Sequence, residues 1–146
     1  MNAVDLARWA CGGFFLLALS CGVWKYRKIV SSPNAAAPVY VDIAHRAAFM
    51  YAFSCLTMAY FADLSKWSEV VNFSGVAVAV FFFFTAESTY VIHGLLDDTE
   101  NQLQAPYKLG KSSLPGALVH GYMYALIAGE VGGFLVVFTG AMLPVG

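Results

Sequence analysis

The sequence predicts an all-α integral membrane protein, a four-helix bundle forming one domain over residues 1–146. Three observations predict it. The chain is 60% hydrophobic and 12% charged, whereas soluble domains average about 45–50% apolar and about 25% charged residues. The apolar residues gather in four runs, each close to the roughly 20 residues a bilayer crossing needs. The links between them carry Pro, Asn, Ser and charge, and none is long enough for an appended soluble domain. A formal net charge of −1 with no basic cluster gives no footing for a nucleic-acid partner.

The first helix is expected over about 4–24, with Trp9 and Trp24 placed as interfacial anchors. Asp5 and a single Arg8 precede its apolar core, and Lys25, Arg27 and Lys28 follow it. That is the pattern of a retained helix with a stop, not of a cleaved signal peptide. The stretch SSPNAAAP, from Ser31 to Pro38, breaks the helix. A second helix is expected over about 39–62, where Asp42 and Arg46 stand four apart and can pair along one face. The short link DLSKWSE makes the third helix, about 70–96, an antiparallel neighbour of the second.

Helix three changes character along its length. Phe81 to Phe84 cover every side of it, which suits lipid together with a partner helix. Glu87, Tyr90, Asp97 and Asn101 then fall on one face at about 100° per residue, with His93 at the edge. Asp98 and Glu100 are expected to be a solvated loop edge. After the link to Pro115, helix four is expected over about 117–143. It carries His120 near its start, Glu130 near its middle, and Gly129 and Gly133 in a GxxxG pattern that marks a close helix contact. Glycine-lined faces of this kind are expected to support a homo-oligomer. The three cysteines lie in apolar runs with no zinc or CxxC spacing and read as small buried residues.

The links after helices one and three carry Lys25, Arg27, Lys28, Lys108 and Lys111, five basic residues against Arg8 and Lys66 on the opposite side. The positive-inside bias therefore predicts both termini on the non-cytoplasmic side, in a bacterial inner (plasma) membrane. That orientation puts His45, His93 and His120 in the cytoplasmic leaflet, beside Asp42, Arg46, Glu87, Tyr90 and Asp97. An ionisable group in hydrocarbon costs roughly 2.5–3.5 kcal/mol on insertion scales and marks function by default.

Three chemistries are open at this point. Haem b, held without a CxxCH, is one: His45 is the leading metal ligand, Arg46 a propionate partner, and His93 or His120 a second ligand. A non-haem metal site of the three histidines with Glu87 or Asp97 is another. A small transporter or proton relay along the acids and histidines is the third. A non-enzymatic subunit of an electron-transfer or quinone-linked membrane complex stands beside them.

The Ala-His opening of helix two, AHRAAFMY from Ala44 to Tyr51, adds a comparison. So do four spans with a proline-bearing first link, and the polar end of helix three followed by DDTENQLQAPYKLG. In these features the chain resembles the small four-helix membrane isomerases, the family of styrene oxide isomerase and hydroxylaminobenzene mutase. Met50 and Tyr51 stand where that family has an Asn. Ala86 to Tyr90 replace its Trp-and-Asn patch. The resemblance implies a trimer, haem b held by His45 with iron as a Lewis acid, and a small hydrophobic substrate entering from the bilayer. Tyr90, Asp97 and Asn101 would then orient that substrate as catalytic residues.

Overall fold

The structure, a computed structural model, describes residues 1–144, so the last two residues of the expected domain lie outside it. Helix formation starts at Asn2. Its side chain accepts the Asp5 N–H at 2.8 Å while the Asp5 carboxylate accepts the Asn2 N–H at 3.3 Å, a reciprocal capping box. From there α1 runs over Ala3–Ser31. It is seven residues longer than expected at its C-terminal end, because falling hydropathy does not stop a helix. KYRKIVS contains no breaker, and the helix ends only where Ser32 precedes Pro33 and turns extended. The other helices lie within two residues of expectation: α2 over Val39–Leu64, α3 over Glu69–Leu96 and α4 over Gly116–Met142. All four are long and apolar enough to cross a membrane. At about 1.5 Å per residue each is near 40 Å long, more than the roughly 30 Å of hydrocarbon.

The helices run up and down as antiparallel neighbours. α1 packs chiefly on α2, α3 on α4, and α2 also touches both α3 and α4. The α1–α2 seam rests on small residues. Ala44, Ala48, Ala52, Cys55, Ala59 and Ala62 recur at three- and four-residue spacing and are all buried. The α3–α4 seam uses the GxxxG pair. A Cβ on Gly133 would strike the Gly75 carbonyl and Ala79, and one on Gly129 would strike Phe82. That pair is therefore occupied inside the chain and is not a face for a second copy. Gly12, Gly13, Gly121 and Gly132 have open space around them.

One end of the bundle is tied by the backbone. The Ala3 N–H donates to Glu69 Oε1 at 2.6 Å, and the Lys66 N–H donates to the Gly140 carbonyl at 3.0 Å. At the other end the α3–α4 link is not structureless. Lys108–Leu109 and Ser112–Ser113 form a short antiparallel pair, β1 and β2, around Gly110 at φ 61°.

Candidate functional site

The expected polar layer exists at the end of the bundle that holds the α1–α2 and α3–α4 links, but it divides into separate settings. Asp42 accepts Lys25 Nζ at 2.5 Å and Arg46 Nη2 at 2.8 Å. The Asp42–Arg46 pair is as expected. Lys25 joins it because α1 continues past Trp24. His45, one step round α2, turns towards α1. Its Nδ1 lies 2.9 Å from the Ala18 carbonyl oxygen, and Phe49 meets its ring edge-on at 5.2 Å. Gly22 makes room for the ring, since a Cβ there would stand 2.8 Å from His45 Cε1. A carbonyl can only accept, so Nδ1 carries the proton. Nε2 is left without a hydrogen-bond partner and is not among the sealed polar atoms.

His93 is buried in a different place. Its Nδ1 lies 2.7 Å from Asp98 Oδ1, its ring tilts against Tyr40 at 5.1 Å, and its side chain is 7% exposed. The other Asp98 oxygen accepts the Gly110 N–H at 2.5 Å. Asp98 is thus no solvated edge, as the loop sequence had implied; its side chain is 5% exposed. Burial by itself would raise the Asp98 carboxyl. The hydrogen bonds from His93 and Gly110 outweigh burial and hold it below the ordinary aspartate value. His120 is exposed, with Nε2 3.1 Å from the Tyr107 hydroxyl. Among the described residues no three His, Cys, Asp or Glu side chains converge to hold a metal, so the three-histidine non-haem site is not assembled.

The single face drawn through Glu87, Tyr90, Asp97 and Asn101 is cut at its end. Asp97 is the C-cap of α3, in the left-handed region at φ 48°, and is exposed. Asn101 lies beyond the helix, where its Oδ1 accepts the Leu103 N–H at 3.0 Å. Glu87 and Tyr90 do share the interior. Glu87 is 1% exposed, and neither of its carboxyl oxygens has a hydrogen-bond partner. Glu130 of α4 comes within electrostatic reach of Tyr51 and Tyr90, as Glu87 does, and its buried Oε1 is also unpartnered. Cys21 of α1 approaches Glu87 as well. All four helices therefore contribute to one polar centre.

The sequence reading did not place Tyr51 or Tyr40 in the site, and it put Asp98 at a loop edge. Tyr40 stacks on Tyr90 at 6.2 Å, and its hydroxyl accepts the Gln102 N–H at 2.5 Å, tying the link to α2. Tyr51 stacks on Phe83 at 4.8 Å. The one available signal was chemical. A tyrosine inside an apolar run brings a hydroxyl that must find a partner.

Comparison of the chain with family models, with curated proteins and with solved structures finds no match. The functional reading therefore rests on the residues themselves.

Proposed function

We infer that this is an integral membrane protein of the bacterial inner membrane that holds haem b through His45, with isomerase-like chemistry on a small hydrophobic substrate. The observation that carries this reading is the state of His45. A metal-binding histidine characteristically donates its other ring nitrogen to a backbone carbonyl, which fixes the tautomer and the ring orientation. His45 has that arrangement towards Ala18, with Nε2 unengaged. The donor set fits haem, for which a single neutral imidazole is a sufficient protein ligand. Arg46, next to His45 in the chain, and Lys25, across the α1–α2 seam, supply cations suited to propionates. Bound there, haem iron would supply a Lewis-acidic centre. His45 would hold it, Ala18 would orient His45, and Gly22 would keep α1 close enough to do so.

Haem would be held at the α1–α2 seam, where His45 stands beside Ala18 and Gly22, and the resemblance to the membrane isomerases implies an oligomer. The open faces at Gly12, Gly13, Gly121 and Gly132 suit such an oligomer. The positive-inside bias supports termini on the non-cytoplasmic side and His45 in the cytoplasmic leaflet. The test is the absorption spectrum of protein purified from haem-replete cells. A Soret band is expected, lost in His45→Ala and kept in His93→Ala and His120→Ala. Wild-type protein that stays colourless after haem loading would overturn the reading.

A proton relay is a second reading, favoured by the unpartnered carboxyls of Glu87 and Glu130 beside Tyr51 and Tyr90. Proton flux into liposomes that disappears in Glu87→Gln would support it. Flux equal to that of empty liposomes would sink it.

A further inference from the structure

A cavity of about 340 Å³ lies between α3, α4 and the link that joins them, away from the α1–α2 seam that His45 occupies. Its wall is almost wholly apolar, with Ile92 of α3, Leu103 and Leu114 of the link, and Leu118 and Met123 of α4. Ile92 and Leu118 are exposed on the bundle surface, so the cavity is reachable from the acyl-chain region. The hydroxyls on the wall are already committed. Tyr122 donates to Thr85 at 2.9 Å, Thr89 to the Ala86 carbonyl at 2.8 Å, and Tyr107 is engaged with His120. Gln102 and Lys108 come from the link.

His93 differs from these. It lines the cavity, it is more than nine-tenths buried, and its Nδ1 is held by Asp98. Asp98 is itself fixed by the Gly110 N–H. The carboxylate can only accept from Nδ1, so in its neutral form the ring presents Nε2 as an acceptor, and no protein hydrogen bond takes it. Nε2 is not among the sealed polar atoms and so opens to the cavity, where a bound molecule can supply the donor. The volume is at the lower end for a ligand pocket and suits a molecule of one or two rings.

We propose that the α3–α4 cavity is a binding site for a small, neutral, largely apolar molecule carrying a hydroxyl, which donates to His93 Nε2 while Asp98 sets the ring's tautomer. This site is independent of haem at His45 and stands or falls separately.

The test uses protein in nanodiscs, with 2-naphthol, naphthalene and 2-methoxynaphthalene as probes, by equilibrium dialysis against empty nanodiscs of the same lipid. Saturable binding of 2-naphthol is expected, about tenfold tighter than naphthalene, the usual worth of one buried hydrogen bond. 2-Methoxynaphthalene, which cannot donate, should gain nothing over naphthalene. Leu118→Trp and, separately, Met123→Trp should fill the cavity and remove saturable binding of every probe. Asp98→Asn gives the sharper result. Gly110 must keep an oxygen acceptor, so the amide NH2 faces His93, Nδ1 becomes the acceptor and Nε2 the donor. The preference should then move to 2-methoxynaphthalene, an outcome that a purely structural His93–Asp98 pair would not produce. The proposal is overturned if 2-naphthol shows no saturable binding, if the tryptophan variants bind as wild type does, or if the probe preference in Asp98→Asn is unchanged.

Discussion

The linked end of the bundle and its centre both hold buried carboxyl groups, and they treat them in opposite ways. At the end, Asp98 meets two donors, His93 and the Gly110 N–H. At the centre, Glu87 is equally hidden and meets none. The first arrangement ties the α3–α4 link to the bundle. The second contributes nothing to holding the helices together, because a buried polar group without a partner opposes folding. A chain that needed only stability would have an apolar residue at position 87. The difference teaches that the end layer is built as a framework, while the centre keeps polar capacity uncommitted.

Removing Asp98 should break this contrast most strongly. Asp98→Ala leaves His93 Nδ1–H and Gly110 N–H buried without acceptors, each worth about 1–3 kcal/mol. A loss of about 3 kcal/mol is expected in SDS or thermal unfolding of detergent-solubilised protein. Acid should reach the same bond. A carboxyl held low in the folded state contributes stability that is complete above the unfolded aspartate value of about 3.9. That contribution disappears as pH falls through the lower folded value. Unfolding below about pH 4 should therefore be steeper in pH for wild type than for Asp98→Asn. Equal slopes would mean that the His93–Asp98 bond does not depend on ionised Asp98.

At the centre the sign should reverse. Glu87→Met replaces an unpartnered carboxyl by an apolar chain of similar length, and a gain of about 1–3 kcal/mol is expected in the same unfolding assay. Glu130→Met, at a half-buried position, should gain less. A destabilised Glu87→Met would show that the carboxyl has a partner in the folded protein and would erase the distinction between the two regions.

How much of this was legible in the sequence follows from the range of each interaction. The spans were readable because burial in lipid is a property of each run by itself. The Asp42–Arg46 pair was readable because both residues lie on one helix, four apart. The end of α1 was not readable from hydropathy, which reports the solvent a segment prefers and not where its hydrogen bonds stop. That error hid Lys25 from Asp42. The His93–Asp98 pair was hidden because the chain leaves the helix at Asp97 in a left-handed conformation, and helical projection beyond that point misplaces Asp97, Asp98 and Asn101 together. The centre was hidden for a different reason. Glu87, Tyr51 and Glu130 come from three helices, and only the rotation of each helix in the packed bundle makes them neighbours. Depth along each span groups the three histidines at one end of the bundle, but it could not show that His45 faces α1 while His93 faces the α3–α4 link.

The smallest effect is expected at the other ion group of the end layer, and it completes the contrast. Asp42 takes both Lys25 and Arg46, yet the three side chains are 29–68% exposed, with Arg46 the most open. Water and salt screen such pairs, and holding long side chains in one geometry costs entropy, so their net worth is about 0–1 kcal/mol. Arg46→Ala should change unfolding by no more than about 0.5 kcal/mol, because Lys25 still serves Asp42. Lys25→Ala should cost slightly more, since its pair with Asp42 joins α1 to α2 whereas Arg46 pairs within α2. Both effects should shrink further at high salt, unlike the loss from Asp98→Ala, whose bonds are sealed from solvent. If Arg46→Ala leaves unfolding unchanged but weakens the haem binding proposed for His45, its charge would serve that group and not the fold. That would place Arg46 with His45, and leave Asp98 as the residue that secures this end of the bundle.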